Sequence, residues 1–565
     1  MFKFIHGYDK HFLRGLEKRG LLTDNIGVKL MHNFPIPDKE KFNIAAARGT
    51  ELYSLIKENK YMFLIDRMQG GTFYHKYNFD RSLINEYSEM LGEEFLGIQI
   101  HEMGSVLNGD WKRIRKQMGD IPPPWSPKQI HDAILKVSAC KWCIHLSCGT
   151  AEEYSEKTYP ETWRDYSRAM EELFLKRQSE TGGYLISSNS FLMSTGMEYR
   201  LGVRTVMPEV GAQLSLVRLQ IALARGMSKA FGRIWGAYYE PWGGESLSAP
   251  HYFTEGFNEW RLDNSNFPHD FTSNGENGGS SRVLQSRIYH YLLMSGAKYL
   301  AEEWGTTNTF YDWTDYELTP YGKVKKEFID FSEKMQDVEA YIPFAVILPR
   351  SFEAVDLGYI ANPDRQEYVG RILTGTLKES FENIRKILAL IYVRNGKIYG
   401  NEGHAITNSR FGDFFDVIYD DLNSEVYKKY DCLVDATYGN AFSRSDTATG
   451  LNVLAGSDIE LLADEVNRLI GKKSPCVVSG EVHWMLSRGN DKWFLSIFNN
   501  EGVGRSAAKG DYLIREADKD AEIVFRQIPA NLNVIASLNG NIEKKDGNTF
   551  ISTVKAGGFL ILEFI

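Results

Sequence analysis

Cysteine is scarce in this chain. It occurs five times in 565 residues, an odd and small number that gives no disulfide framework and fits a reducing compartment. Long apolar runs are missing as well. No stretch approaches the ~18 uninterrupted apolar residues of a membrane span, and residues 1–10, M-F-K-F-I-H-G-Y-D-K, lack an apolar segment of signal-peptide length. The expectation is a cytoplasmic protein with no membrane partner. Positive charge is not in surplus, because 65 Lys and Arg against 74 Asp and Glu leave a net charge of −9. That balance disfavours nucleic acid, whose phosphates attract a basic face. Neither a G-x-S-x-G elbow nor an H-E-x-x-H helix occurs, so serine and zinc hydrolases lack their marks.

What is present is an ordinary globular composition, 43% hydrophobic and 25% charged, in a chain long enough for two to four domains. Aromatic residues are plentiful, with 11 Trp, 30 Tyr and 32 Phe. The first ~340 residues repeat one unit: an apolar strand, a polar residue at its end, then an amphipathic helix. Strands are predicted at 2–9, 25–34, 61–71, 95–105, 183–190, 203–211, around 232–240 and at 297–305. Helices are predicted at 214–229 and 280–294, the latter with a serine placed to cap it. Near-continuous apolar strands alternating with helices imply a parallel sheet covered on both sides. Eight such units imply a (β/α)8 TIM barrel, whose active site lies at the C-terminal strand ends.

Carboxylates fall at those ends. The stretch G-R-I-W-G-A-Y-Y-E-P-W-G-G (232–244) reads as a buried strand that delivers Glu240 and is then stopped by Pro241 and two glycines. Tyr239 and Trp242 flank Glu240. Carboxyl groups beside aromatic faces suit carbohydrate, because sugars stack their C–H faces on rings and glycosidic cleavage uses carboxyl groups. The bland reading of Glu240 alone is a strand-ending glutamate bonded to a nearby arginine or amide. Glu102 ends the fourth predicted strand, after His101, and Glu240 ends the seventh. Those positions lie across a barrel mouth from each other. Glu209 and Glu303 end two further strands; Glu302 alternates with Glu303, so only one of them faces the mouth. Asp66, Arg67, His32, Asn33 and Asn189 also end strands and are candidates to bind hydroxyls, with a structural hydrogen bond the alternative for each. Trp242, Trp304 and Trp313 are candidate stacking platforms or, alternatively, core. The segment 241–279, rich in Gly, Ser, Asn and aromatics, reads as a wall or lid of the cleft.

Beyond residue 340 the pattern changes. Short buried strands at 341–349, 413–420, 431–436 and 451–456, with helices at 377–392 and 459–470, make a small flavodoxin-like α/β domain without a G-x-G-x-x-G or phosphate-loop signature. From about residue 476 alternating segments joined by Asn-Gly and Asp-Gly turns imply a C-terminal antiparallel β-sandwich. The expected division is 1–340, 341–475 and 476–565. Cys140, Cys143, His145 and Cys148 could ligate zinc, but the spacing is compressed and the flanks read as core, so no metal and no cofactor are expected.

A barrel with glutamates ending strands four and seven, then a small α/β domain, then a sandwich resembles the glycoside hydrolases of clan A. The domain order is similar to that of the family 42 β-galactosidases. The resemblance implies Glu102 as acid/base and Glu240 as nucleophile of a retaining glycosidase. His101 departs from the asparagine usual in that clan, which points to a divergent family. His101, Glu209, Tyr239, Trp242, Glu303, Trp304, Asp66 and Asn189 are the candidate sugar contacts. The resemblance also leaves room for a homo-oligomer in contact through the small domain. The expected function is O-glycoside hydrolysis of a carbohydrate. The alternatives are a non-catalytic carbohydrate-binding protein on the same scaffold, or a carbohydrate lyase or isomerase.

Overall fold

Strand periodicity in the first third of the chain is the simplest element to follow into three dimensions. The computed structural model describes residues 1–30, 38–68, 76–101, 103–137, 160–188, 192–211, 216–240, 281–303, 306, 309–335, 337–357, 360, 373–392, 406, 408, 411–437, 452–501, 503–506, 510–513 and 517–565. Nine short strands, β1 (Lys3–Gly7), β2 (Ile26–Leu30), β3 (Met62–Met68), β4 (Phe95–His101), β5 (Leu185–Ser188), β6 (Thr205–Val206), β7 (Glu209–Gly211), β8 (Gly236–Glu240) and β9 (Tyr299–Glu302), pair in parallel. They occupy eight positions. β6 and β7 are two halves of the sixth, parted by Met207 and Pro208 because proline has no N–H to give the ladder. The first half pairs β5 (Ile186↔Thr205) and the second pairs β8 (Glu209↔Tyr238). Val206 also bridges Trp235, one residue before β8. β9 returns to β1 through Lys3↔Tyr299. The ring is therefore closed, with β1 formed by the opening residues as the strand count requires.

Alternation then sorts every strand residue to one of two sides. Ile5, Met62, Leu64, Leu96, Ile186, Met207, Tyr238, Tyr299 and Ala301 pack together as the barrel interior. Phe4, Val28, Ile65, Ala237, Tyr239 and Leu300 belong to the larger core under the helices. The interior is full. A Cβ on Gly27 would lie 2.9 Å from the Ile5 side chain and 3.0 Å from the Met62 carbonyl oxygen. Side-chain caps begin the helices: Asp9 accepts from His11 and Phe12 ahead of Lys10–Lys18, Thr50 and Asp80 cap Glu51–Asn59 and Arg81–Leu91, and Ser281 caps Arg282–Met294.

After β10 (Glu339–Ala340) comes a four-stranded parallel sheet, β11 (Phe344–Leu348), β12 (Phe415–Tyr419), β13 (Cys432–Asp435) and β14 (Val453–Ala455), in the order β12-β11-β13-β14. That is the flavodoxin-like order 2-1-3-4. Helices Gly375–Tyr392 and Ile459–Lys473 flank it. The C-terminal strands are β15 (Cys476–Ser479), β16 (His483–Gly489), β17 (Lys492–Phe498), β18 (Val503–Ser506), β19 (Gly510–Leu513), β20 (Lys519–Phe525), β21 (Leu532–Asp546) and β22 (Thr549–Phe564). Among the described residues they form an antiparallel sheet and a separate β18–β19 ribbon. We propose the division 1–340, 341–475 and 476–565, which the sheets cross at one place. β10 lies before the first boundary yet adds an edge strand to the C-terminal sheet through Glu339↔Arg488. Among the described residues no helix is long and apolar enough to cross a membrane.

Buried charges join the units. Arg225, on helix Val217–Phe231, donates to Asp416 at 2.6 Å and to the Phe415 carbonyl at 2.9 Å. Lys229 and Tyr430 reach the other Asp416 oxygen at 2.6 and 2.9 Å. Tyr291, on helix Arg282–Met294, donates to Asp413 at 2.6 Å, and His483 of β16 stands 3.6 Å from the same oxygen. Arg225→Ala would leave Asp416 buried with part of its positive charge gone. The expected loss is about 3–5 kcal/mol, read as a lower denaturation midpoint.

Burial also sets a pH dependence. His290, ringed by Phe328, Phe331 and Phe559, and His483 are both pushed down to about 4, chiefly by desolvation. Unfolded, each titrates near ~6.5. The unfolded chain binds more protons between those values, so this stability is present above pH ~6.5 and is lost as pH falls toward 4. The melting temperature should drop across that window, and His290→Phe should lessen the drop.

Candidate active site at the barrel mouth

The inward face of the last strands ends in glutamates. Met207, Tyr238 and Ala301 point into the barrel, and two residues further along each lie Glu209, Glu240 and Glu303. These three are 1%, 4% and 0% exposed. One carboxylate oxygen from each lies within 4.8 Å of the other two. Like charges at that separation do not all stay ionised unless a proton, a cation or a positive side chain lies against them. The same oxygens could ligate a hard divalent cation.

Glu302 goes the other way. Its carboxylate pairs with Lys325 at 2.5 Å and accepts from Gln285 at 3.1 Å, both on surrounding helices. Tyr239 is a correction to the sequence reading. Alternation turns it outward, where its ring packs edge-on against Tyr289 at 5.3 Å in the helical layer. The aromatic on the inner side is Tyr238.

A second buried polar group comes from β2 and β3. Lys29 and Asp66, each 1% exposed, form a 2.5 Å ion pair. The Lys29 ammonium also donates to the carbonyl of Glu302, next to Glu303, and lies 5.1 Å from the centre of the Tyr238 ring. Its positive end therefore points toward β8 and β9, with Asp66 behind it. Lys41, from the helix after β2, donates to the Asp66 carbonyl at 2.9 Å. Among the described residues, the second Asp66 oxygen, Oδ1, has no hydrogen-bond partner, and neither has the buried Ser188 hydroxyl at the end of β5. Sequence reasoning missed Lys29, because a lysine inside a strand reads as solvent-facing. It passed over Ser188 for its neighbour Asn189.

Glu102, His32, Asn33, Asn189, Trp242, Trp304, the 241–279 segment and the Cys140–His145–Cys148 cluster lie outside the described residues, as do the side chains of His101 and Arg67.

The ion pair provides a test of the interior. Lys29→Met leaves Asp66 buried without its cation and should cost about 3–5 kcal/mol; adding Asp66→Leu should recover most of it, since an apolar pair of similar volume often matches a buried ion pair. Denaturation of both variants would check this.

Searches found no matching family model and no matching curated protein. Solved structures with a similar layout include a β-galactosidase from Bacillus circulans sp. alkalophilus (8% identity, TM-score 0.49, covering 100% of this chain and 99% of that one). Others are an α-L-fucosidase isoenzyme 2 from Paenibacillus thiaminolyticus (9%, TM-score 0.42, 100% and 99%) and the catalytic module of a family 98 glycoside hydrolase from Streptococcus pneumoniae TIGR4 (8%, TM-score 0.40, 99% and 98%). At such distance these likenesses carry no weight for substrate or mechanism, which rest on the strand ends themselves.

Proposed function

We propose that the chain is a glycoside hydrolase acting on an O-glycosidic bond with two carboxyl groups. The observation that supports this most is the convergence of Glu209, Glu240 and Glu303 at the mouth of a closed barrel. Retaining enzymes hold their two carboxyls ~5 Å apart and inverting enzymes ~6.5–9.5 Å. One oxygen from each of the trio lies within 4.8 Å of the others, a proximity that supports the shorter spacing and, with the resemblance, a retaining reading. Glu240 attacks the anomeric carbon as the bond to the leaving oxygen breaks. The partner carboxyl gives that oxygen its proton, then takes one from the water that releases the sugar.

Glu102 remains the proposed acid/base, by resemblance. The geometry favours a second assignment, in which Glu209 or Glu303, adjoining Glu240, supplies the proton. Asp66 Oδ1, across the barrel on β3, and the Ser188 hydroxyl, on β5 beside the sixth position, are acceptors for sugar hydroxyls, and His101, Asn189, Trp242 and Trp304 keep their proposed contacts. A purely binding protein has no need of three buried carboxyls sharing one space, which weighs against that alternative and leaves lyase or isomerase chemistry to be read from the products.

Glu240→Ala is expected to cut turnover of aryl glycosides by about three orders of magnitude or more with folding intact. Glu102→Ala, Glu209→Gln and Glu303→Gln, measured side by side, identify the acid as the variant whose loss shrinks when the leaving group needs no proton. Full activity in Glu240→Ala removes it from the mechanism. Dialysis against EDTA is expected to leave turnover unchanged; a loss restored by Mg2+ or Mn2+ would make the trio a metal site instead.

A further inference from the structure

The segment after β9 follows the strand that leads to Glu303, and in a barrel such βα segments start from the C-terminal side. Residues 309–319 of it form a hairpin. Phe310 bridges Leu318, Tyr311 N–H donates to the Glu317 carbonyl at 3.0 Å, and Thr319 N–H donates to the Thr309 carbonyl at 3.0 Å. Asp312 caps the tip by accepting from the backbone of Thr314 and Asp315 at 2.7 and 2.9 Å.

Much of the neighbouring structure is given over to holding this hairpin in one place. Phe310 and Tyr316 are each 5% exposed and pack on helix Lys10–Lys18 at Gly15. A Cβ there would come within 2.3 Å of the Tyr316 ring and 2.7 Å of the Phe310 ring. A glycine inside a helix costs roughly 0.5–1 kcal/mol, and the close approach of the hairpin is what requires it. Tyr316 holds a left-handed φ of 58°, uncommon for a large side chain. Arg19 fixes that turn by donating to the Tyr316 and Asp315 carbonyls at 2.7 and 2.9 Å, and Lys18 lies over the Tyr316 ring.

With its inner rings buried, the hairpin turns two others outward. Tyr311 is 37% and Trp313 49% exposed. The Trp313 indole is braced on one side by Phe12, whose ring centre is 6.2 Å away. Large aromatics left in water on a rigid, hydrogen-bonded support mark a binding surface.

Building on the glycosidase reading, we infer that Trp313 and Tyr311 form an outlying sugar-stacking platform, so the substrate is a neutral glycan several residues long rather than a single glycoside. Apolar C–H faces of sugars fit such rings, and the hairpin follows in sequence the strand that leads to Glu303. Asp312, Asp315 and Glu317 are exposed along it, while Arg19 and Lys18 are engaged with its backbone and the Tyr316 ring. That balance disfavours an anionic chain.

The test uses the full chain and its Trp313→Ala and Tyr311→Ala variants, both at exposed positions. Mobility is followed in native gels containing β-1,3-glucan, β-1,4-mannan, β-1,4-galactan, arabinoxylan or, as the anionic arm, polygalacturonate. Turnover of an aryl monoglycoside, which occupies the mouth alone, is measured in parallel. The expected result is retardation of the wild type by a neutral glycan, weakened about three- to tenfold in Trp313→Ala, with aryl-glycoside turnover unchanged. Equal retardation of wild type and variant, no retardation by any glycan, or retardation by polygalacturonate alone would overturn the platform. If aryl glycosides are still cleaved in those cases, the glycosidase reading survives without it; if they are not, both fall.

Discussion

A charge taken out of water needs a partner, and the structure obeys this nearly everywhere it buries one. Lys29 meets Asp66 inside the barrel, Lys325 meets Glu302 just outside it, and Arg225 meets Asp416 where barrel and second sheet touch. Glu353 shows the cost from the other side: desolvation pushes it up to about 8 even with Arg200 against it. Glu209, Glu240 and Glu303 bring three groups of one sign into a single buried space at the barrel mouth. The acid–base chemistry proposed above rests on that crowding.

Much of this was legible in the strands. The count of eight depended on residues 2–9, and β1 does close the ring between β2 and β9. Period-two alternation also separates Glu303 from Glu302. It was not applied to Tyr238 and Tyr239, where the aromatic next to Glu240 drew attention although a residue adjacent in sequence faces the other way. Lys29 was hidden for a different reason. In N-I-G-V-K-L nothing tells a lysine that interrupts a strand from one enclosed by it, because enclosure is a property of the closed ring. The Arg225–Asp416 pair, 191 residues apart, was equally out of reach: neither residue carries a local pattern, and their pairing exists only once two sheets meet.

The second and third sheets have a role in the site that their distance from it conceals. Among the described residues, two helices connect the strands that carry the glutamates: Val217–Phe231 between β7 and β8, and Arg282–Met294 between β8 and β9. Both are gripped from behind. The first lies on β12 so closely that a Cβ on Gly226 would stand 2.6 Å from the Val417 carbonyl oxygen, and Arg225 and Lys229 anchor it to Asp416. The second donates from Arg287 to the Gly557 carbonyl at 2.5 Å, receives Ser487 at the Met294 carbonyl at 2.7 Å, and ties Tyr291 to Asp413. Displacing a reacting carboxyl by ~1 Å can cost about a hundredfold in rate, so a spacing shared among three strands needs rigid supports. The accessory sheets therefore brace, through polar and hydrogen-bonded contacts, the side of the barrel where the carboxylates converge.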